Sequence, residues 1–370
     1  MITTGWPRWL GDYAGHFVAE MACALGDTGA PVHVLAPHGS SRHPNVHVQT
    51  YAGGPLLDGQ GAPERLWSRP WSSVPAAGWA SIQLARASLK YSAQCERIVA
   101  HWLVPSGVAA ALAAERWGAP AHVYAHGSDM ALLERLPVGR ALARWIDGRV
   151  SSVICVSADL QQRWRALLGR APRAACGVIP MGVTVGPRGD RDHVRRALGL
   201  GDGPVVATVG RHVPLKGLSV LIDALRDTDI GWLAIGDGPE KLALQRVARE
   251  ADVDVRWVGQ VTPVVRDTLL GAADVLAHPT VPSAGRSEGA PLAVMEALTL
   301  GLPVVASAVG GIPEWARHGV VTVPPDEPSA LRQGLRSAMS VSVCPDPRWR
   351  WSEVIEQHRA MWLSAERPRR

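Results

Sequence analysis

Short apolar runs rich in β-branched residues alternate with segments of helical periodicity along the chain. In the first half the runs are Val32–Ala36, Arg97–Ala100, Ala121–Tyr124, Ser152–Val156 and Cys176–Ile179. In the second they are Val205–Val209, Trp232–Ile235, Val255–Val258, Val275–His278, Val304–Ser307 and Val320–Val323. Strands this short with helices between them predict parallel, doubly wound sheets, and the recurrence of the pattern predicts two Rossmann-like α/β units in tandem. Gly186–Asp192 is rich in turn residues and charge and has no apolar period, so it reads as the linker. The expected units are 1–185 and 186–346. In Trp351–Ser364, residues Val354, Ile355, His358, Met361 and Trp362 fall at helical spacing, so 347–370 is expected to form a closing amphipathic helix packed back on the first unit.

The chain has 370 residues and 47% apolar content, enough for two cores. Five scattered cysteines without a Cys-x-x-Cys pair suggest neither a disulfide framework nor a zinc site, and point to a reducing, cytoplasmic compartment. Met1–Leu10 lacks the basic and apolar regions of a signal peptide. The apolar stretch from Ala290 to Pro313 carries Glu296 and breaks at Pro303 and Gly310–Gly311, so it reads as a buried helix, turn and strand rather than a membrane span. The net charge of +5, with arginines crowded at the end, suits anionic ligands, among them nucleotide sugars and a peripheral membrane face. No zinc-finger or RNA-binding signature accompanies it, which argues against nucleic acid.

The stretch richest in chemistry is Ser287–Ala297, where Glu288 and Glu296 have seven residues between them. A loop running through Gly289, Ala290 and Pro291 into a helix at Leu292 aims backbone N–H groups and the positive helix end at an anion, for which pyrophosphate is the natural candidate. Glu288 can accept hydrogen bonds from sugar hydroxyls, and Glu296, about two turns on, can hold a ribose diol. Read blandly, both are ordinary helix-region glutamates. An unpaired Glu296 inside an apolar helix would be costly, however. A second constellation, Gly210–Gly217, follows a strand: Gly210 allows close backbone approach, while Arg211 and Lys216 supply the charge that stabilises a departing diphosphate without a metal. It is no Walker loop, because Lys216 lacks the flanking glycine and hydroxyl residue. Gly236–Pro239 reads equally as a plain turn or a ligand contact.

In the first half, His126–Asp129 follows a predicted strand, at the sheet edge where open α/β folds bind ligands. His126 can contact a sugar hydroxyl near the reacting carbon; a structural histidine is the other reading. Gly11–His16 is a glycine-bearing loop opening the first helix, so Gly11 and Gly15 are further phosphate candidates and His16 is the rival base.

Taken together, these stretches resemble the retaining glycosyltransferases of family 4, from Gly11–Leu25 through His101–Gly107, His126–Asp129, Val156–Ser157 and Ile179–Val183 to Gly210–Gly217 and the Glu288–Glu296 pair. The resemblance implies a GT-B fold, two Rossmann-like domains facing a cleft, and a hexosyltransferase-like activity. It implies that Arg211 and Lys216 hold the diphosphate of a nucleotide sugar co-substrate, Glu288 and His126 its sugar, Glu296 its ribose, the backbone of 290–292 its phosphates and Val261 its base. Two departures stand out: Thr184 replaces the family's usual acid, and the first loop has Gly11 and Gly15 in place of paired glycines. The expected reaction is transfer with retention to a hydroxyl on a small-molecule, lipid or glycan acceptor, with no metal and no other cofactor. An inverting GT-B transferase, a sugar-nucleotide epimerase and a catalytically silent nucleotide-sugar-binding protein are the alternatives.

Overall fold

The computed structural model describes residues 1–9, 12–54, 57, 70–283 and 288–366, with Gly11 and Ser287 outside the described residues. The chain divides into two compact units, Met1–Gly182 with Trp351–Arg370, and Val183–Arg350. The first crossing thus lies at 182/183 rather than 185/186, and the second at 350/351 rather than 346/347. The segment expected to be the linker is largely the approach to a helix, Arg191–Leu198, whose first turn is capped by Asp190 accepting from the His193 N–H at 2.8 Å.

In the first unit β1 (Val32–Ala36) pairs with β2 (Val46–Thr50), and β3 (Ile98–His101), β4 (Ala121–Ala125), β5 (Ser152–Cys155) and β6 (Ala175–Val178) follow in order, all parallel. The two ladders are stitched by Ile2, which bridges Leu35 on one side and Ala100 on the other. Its N–H donates to the Val99 carbonyl at 2.7 Å, and its own carbonyl accepts from the His101 N–H at 3.0 Å. The apolar pattern shows neither this stitch, which is a single residue, nor β2, whose burial is confined to its first residue. The closing helix Trp351–Glu366 belongs to this unit and buries Trp351, Val354, Ile355, His358 and Trp362. It is fastened by polar contacts as well: Glu366 accepts from Arg97 at 2.5 Å and lies 2.9 Å from His122, and Tyr124 meets His358 at 2.8 Å.

The second unit holds a six-stranded parallel sheet in the order β12-β11-β10-β7-β8-β9, formed by β7 (Val205–Val209), β8 (Gly231–Ile235), β9 (Val255–Gly259), β10 (Val275–His278), β11 (Val304–Ser307) and β12 (Val320–Val323). Successive strand residues feed opposite layers: Val205, Ala207, Leu233 and Ile235 join one core, Val206, Trp232 and Ala234 the other. That is the two-residue period of a strand buried on both faces, which is why these segments read as unbroken apolar runs. Strand order reverses between β7 and β10, the position at which open α/β sheets bind ligands outside the carboxyl ends of their strands.

Candidate active site

The second-unit candidates gather at that edge. The loop after β7 carries Gly210, Arg211 and Lys216; the segment after β10 carries Glu288 and leads through Gly289, Ala290 and Pro291 into the helix Leu292–Thr299. Gly236, after β8, packs so closely on Gly210 that an added Cβ would stand 1.9 Å from the Gly210 carbonyl oxygen, and its φ of 136° is one that only glycine adopts readily. The two loops are tied further by the His212 N–H donating to the Asp237 carbonyl at 2.9 Å. Arg211 and Lys216 therefore project from a braced platform.

Lys216 donates to Glu288 Oε1 at 2.7 Å, with the two side chains 21% and 16% exposed. Residues separated by 72 positions in sequence thus form one ion pair, a link the sequence does not display. His278, at the end of β10, places Nε2 3.8 Å from Glu288 Oε2 and is buried. Burial pushes the Glu288 carboxyl up, but the Lys216 ammonium, His278 and the lysine hydrogen bond outweigh it and hold the group below its ordinary range. Burial, with Lys216 adding, pushes His278 down to about 4 against the pull of Glu288, so it is neutral near pH 7. Glu288 is a carboxylate with one oxygen on the lysine and the other towards a neutral imidazole. The Glu288 carbonyl also accepts from the Gly311 N–H at 3.1 Å, which pins the backbone just before the helix.

Glu296 is 4% exposed and accepts from Arg266 Nη1 at 2.6 Å; Arg266 also donates from Nε to Asp267 at 2.8 Å, and Asp267 accepts from the Gly186 N–H at 2.7 Å. The carboxylate has the partner its apolar helix requires, and that partner, Arg266, is the residue that sequence reasoning missed. Val261, following β9, is half-buried against the same core cluster as Leu292 and Ala290. At the start of Leu292–Thr299 the first backbone N–H groups have no acceptor within the helix, which suits an anion. His212 is another residue not anticipated: it is 1% exposed, and neither ring nitrogen has a hydrogen-bond partner among the described residues.

The first unit presents its own cluster. His126, after β4, stacks on His101 with centroids 5.3 Å apart, its Nε2 3.1 Å from His101 Nδ1, and Phe17 and Trp102 lie 5.0 and 5.3 Å from it. Asp129 fixes this turn by accepting from the N–H groups of Leu103 at 2.8 Å and Gly127 at 2.8 Å. Burial, reinforced by His358, pushes His126 down to about 3, so it serves as a neutral hydrogen-bonding group. His16 instead turns its Nδ1 to the Tyr13 carbonyl at 2.8 Å. Gly15 caps the first helix, His16–Asp27, at φ 67°, and a Cβ there would lie 2.4 Å from the Gly5 backbone. Its glycine is thus accounted for by close packing of two loops; Gly11 lies outside the described residues.

Comparison with known proteins also divides the chain in two, between residues 186 and 190. Residues 14–186 match the model described as Glycosyltransferase Family 4, and residues 190–357 that of Glycosyl transferases group 1. A D-inositol 3-phosphate glycosyltransferase of Actinosynnema mirum is 36% identical over 253 residues, 60% of this chain and 57% of that protein. A GDP-mannose-dependent alpha-(1-6)-phosphatidylinositol monomannoside mannosyltransferase of Mycolicibacterium smegmatis is 35% identical over 207 residues, 52% of this chain and 53% of that one. The match therefore spans less than two thirds of either relative. Among solved structures, HepE of Anabaena in complex with UDP-glucose superposes with a TM-score of 0.75 at 19% identity over 98% of both chains, which shows a shared fold.

Proposed function

We propose that this chain, which belongs to the group 1 glycosyltransferases of family 4, moves a sugar from a nucleoside diphosphate donor to a hydroxyl acceptor with retention at the transferred carbon. The observation that carries the proposal is the Lys216–Glu288 ion pair beside neutral His278, set at the reversal point of the second sheet next to the Arg211 loop and a helix N-terminus. A donor diphosphate brings negative charge to Lys216 and Arg211, which stabilise it as it leaves. Glu288, released in part from Lys216, accepts from sugar hydroxyls, and Glu296 with Arg266 behind it addresses the ribose. Backbone groups of Gly289 to Leu292 complete the phosphate cradle, and Val261 meets the base. In the first unit His126 offers a neutral imidazole to a sugar hydroxyl. The acceptor hydroxyl attacks the face from which the diphosphate departs. Relatives named for inositol phosphate and phosphatidylinositol mannoside substrates favour a polyol or glycolipid acceptor.

With Lys216 and Arg211 supplying the positive charge at the leaving group, transfer is expected to need no divalent metal. The test is release of nucleoside diphosphate from a panel of nucleotide sugars, with and without chelator. One donor turned over equally in both conditions is the expected result; no donor bound by any measure would overturn the proposal in favour of a protein without this chemistry.

A further inference from the structure

His101 ends β3 out of reach of solvent, and no step of the proposed reaction uses it. Its backbone is anchored, since its N–H donates to the Ile2 carbonyl at 3.0 Å. Its ring lies on that of Tyr124, its register partner on β4, with centroids 4.9 Å apart and planes 18° from parallel. The Tyr124 hydroxyl is fixed in turn by His358 Nδ1 at 2.8 Å and by the Trp362 indole, which donates to it at 3.2 Å. This held imidazole places Nδ1 3.1 Å from Nε2 of His126, the histidine assigned to the sugar. Burial, with His126, His358 and the amino terminus adding, holds His101 well below its ordinary range, and His126 is held low as well, so both rings are neutral near pH 7.

A neutral imidazole has one N–H and one bare nitrogen, so the contact between the two rings needs a donor on one side and an acceptor on the other. Were His126 the donor, the His101 proton would sit on Nε2, which is buried and has no hydrogen-bond partner among the described residues. A stranded buried N–H is the rarer and costlier defect; with His101 as donor, only a bare ring nitrogen is left there. We propose that His101 is a positioning residue for sugar transfer: it donates from Nδ1 to His126 Nε2, keeps the His126 proton on Nδ1, and so makes His126 a hydrogen-bond donor to a sugar oxygen. His126 is half-buried, and among the described residues its Nδ1 has no partner, so this is the nitrogen left for a ligand. The turn that carries it is already fixed through Asp129, and His101 adds the one thing backbone bonds cannot set, which is the tautomer.

The ligand of Nδ1 rests on the sugar-transfer reading; the tautomer does not, and it is read on the free protein. Long-range proton–nitrogen NMR spectra of the full chain labelled at histidine report which nitrogen of each neutral imidazole carries the proton, and His126→Asn assigns the signal. The Nδ1–H form of His126 is expected near pH 7. In His101→Phe, which keeps a ring on Tyr124 but offers no N–H, the His126 signal should move to the Nε2–H form or to an average of the two. In the same variant kcat/KM for the nucleotide sugar that the parent turns over should fall about tenfold. His101→Asn puts an amide nitrogen in the place of Nδ1, and should restore the tautomer and bring kcat/KM to within about threefold of the parent. An Nε2–H His126 in the parent, a tautomer or a rate unchanged in His101→Phe, or equal losses of rate in both variants overturns the proposal. Should His101→Phe fold poorly, the parent and His101→Asn spectra decide the matter. A parent that turns over no nucleotide sugar refutes the transfer reading instead, and the tautomer stands or falls by its own spectrum.

Discussion

Replacing Lys216 by methionine separates what the lysine does for the fold from what it does for the reaction. In the resting protein its ammonium sits 2.7 Å from Glu288, with both side chains about one fifth exposed. An exposed pair contributes ~0–1 kcal/mol, and breaking a fully buried one costs ~3–5, so Lys216→Met should destabilise the second unit by about 1–2 kcal/mol. The loss has a definite source. Without the lysine charge and its hydrogen bond, burial is the largest influence left on Glu288, and its carboxyl moves from below to above its ordinary range. Adding Glu288→Gln removes the stranded carboxylate, so the double variant should regain most of that stability.

Turnover should not follow. Loss of a cation facing the departing diphosphate costs ~3–4 kcal/mol of transition-state stabilisation, about 10²–10³ in rate, and the double variant has no means of restoring it. Urea melts give the stability of the three proteins, and nucleoside diphosphate release gives their kcat. The reasoning fails if Lys216→Met keeps kcat within about threefold of the parent, or if the double variant recovers rate along with stability.

Arg266→Met removes the buried cation that pairs with both Glu296 and Asp267, and should cost about 3–5 kcal/mol in a urea melt, whereas Glu296→Gln should mainly weaken donor affinity. Acid should loosen the first unit well above the carboxylate range. His122 is held near 4 and His358 near 3, mainly by burial, against an ordinary 6.5, so the unfolded chain binds protons first. Their contribution is complete above pH 6.5 and is lost as pH falls towards 4 and 3, about 3 kcal/mol for His122 alone; flat stability between pH 7 and 4 would refute this. His126→Asn should lower kcat without removing any inflection between pH 5 and 8, since the imidazole is already neutral there; an inflection near 6.5 that disappears in the variant would make His126 a proton carrier.

The sheets were readable because parallel strands buried on both faces leave continuous apolar runs, and all six strands of the second unit lie within a residue of their predicted ends. What escaped was whatever lacks such a run: Ile2 acts through main-chain bonds at one residue, and β2 turns most of its side chains to solvent. The site divides along the same line. Lys216, Glu288 and Glu296 could be named because charge beside glycine or inside an apolar helix is locally anomalous. Their partners could not, because Arg266 and His278 look ordinary in sequence and become notable only when folding brings the one to 2.6 Å from Glu296 and the other to 3.8 Å from Glu288.

The first unit is interrupted, its closing helix arriving after the whole of Val183–Arg350 has been made. At ~5–20 residues per second, a ribosome spends on the order of ten to thirty seconds between the last strand of that unit and its final helix. Throughout that interval Tyr124, His122 and Arg97 wait without His358 and Glu366. The second unit is therefore free to mature first, although it is encoded later, and the earlier half is completed from the far end of the chain. Cutting the gene at the obvious boundary would yield one self-sufficient piece and one that lacks its last helix; a first unit meant to fold by itself has to be built with Trp351–Glu366 joined directly after Gly182.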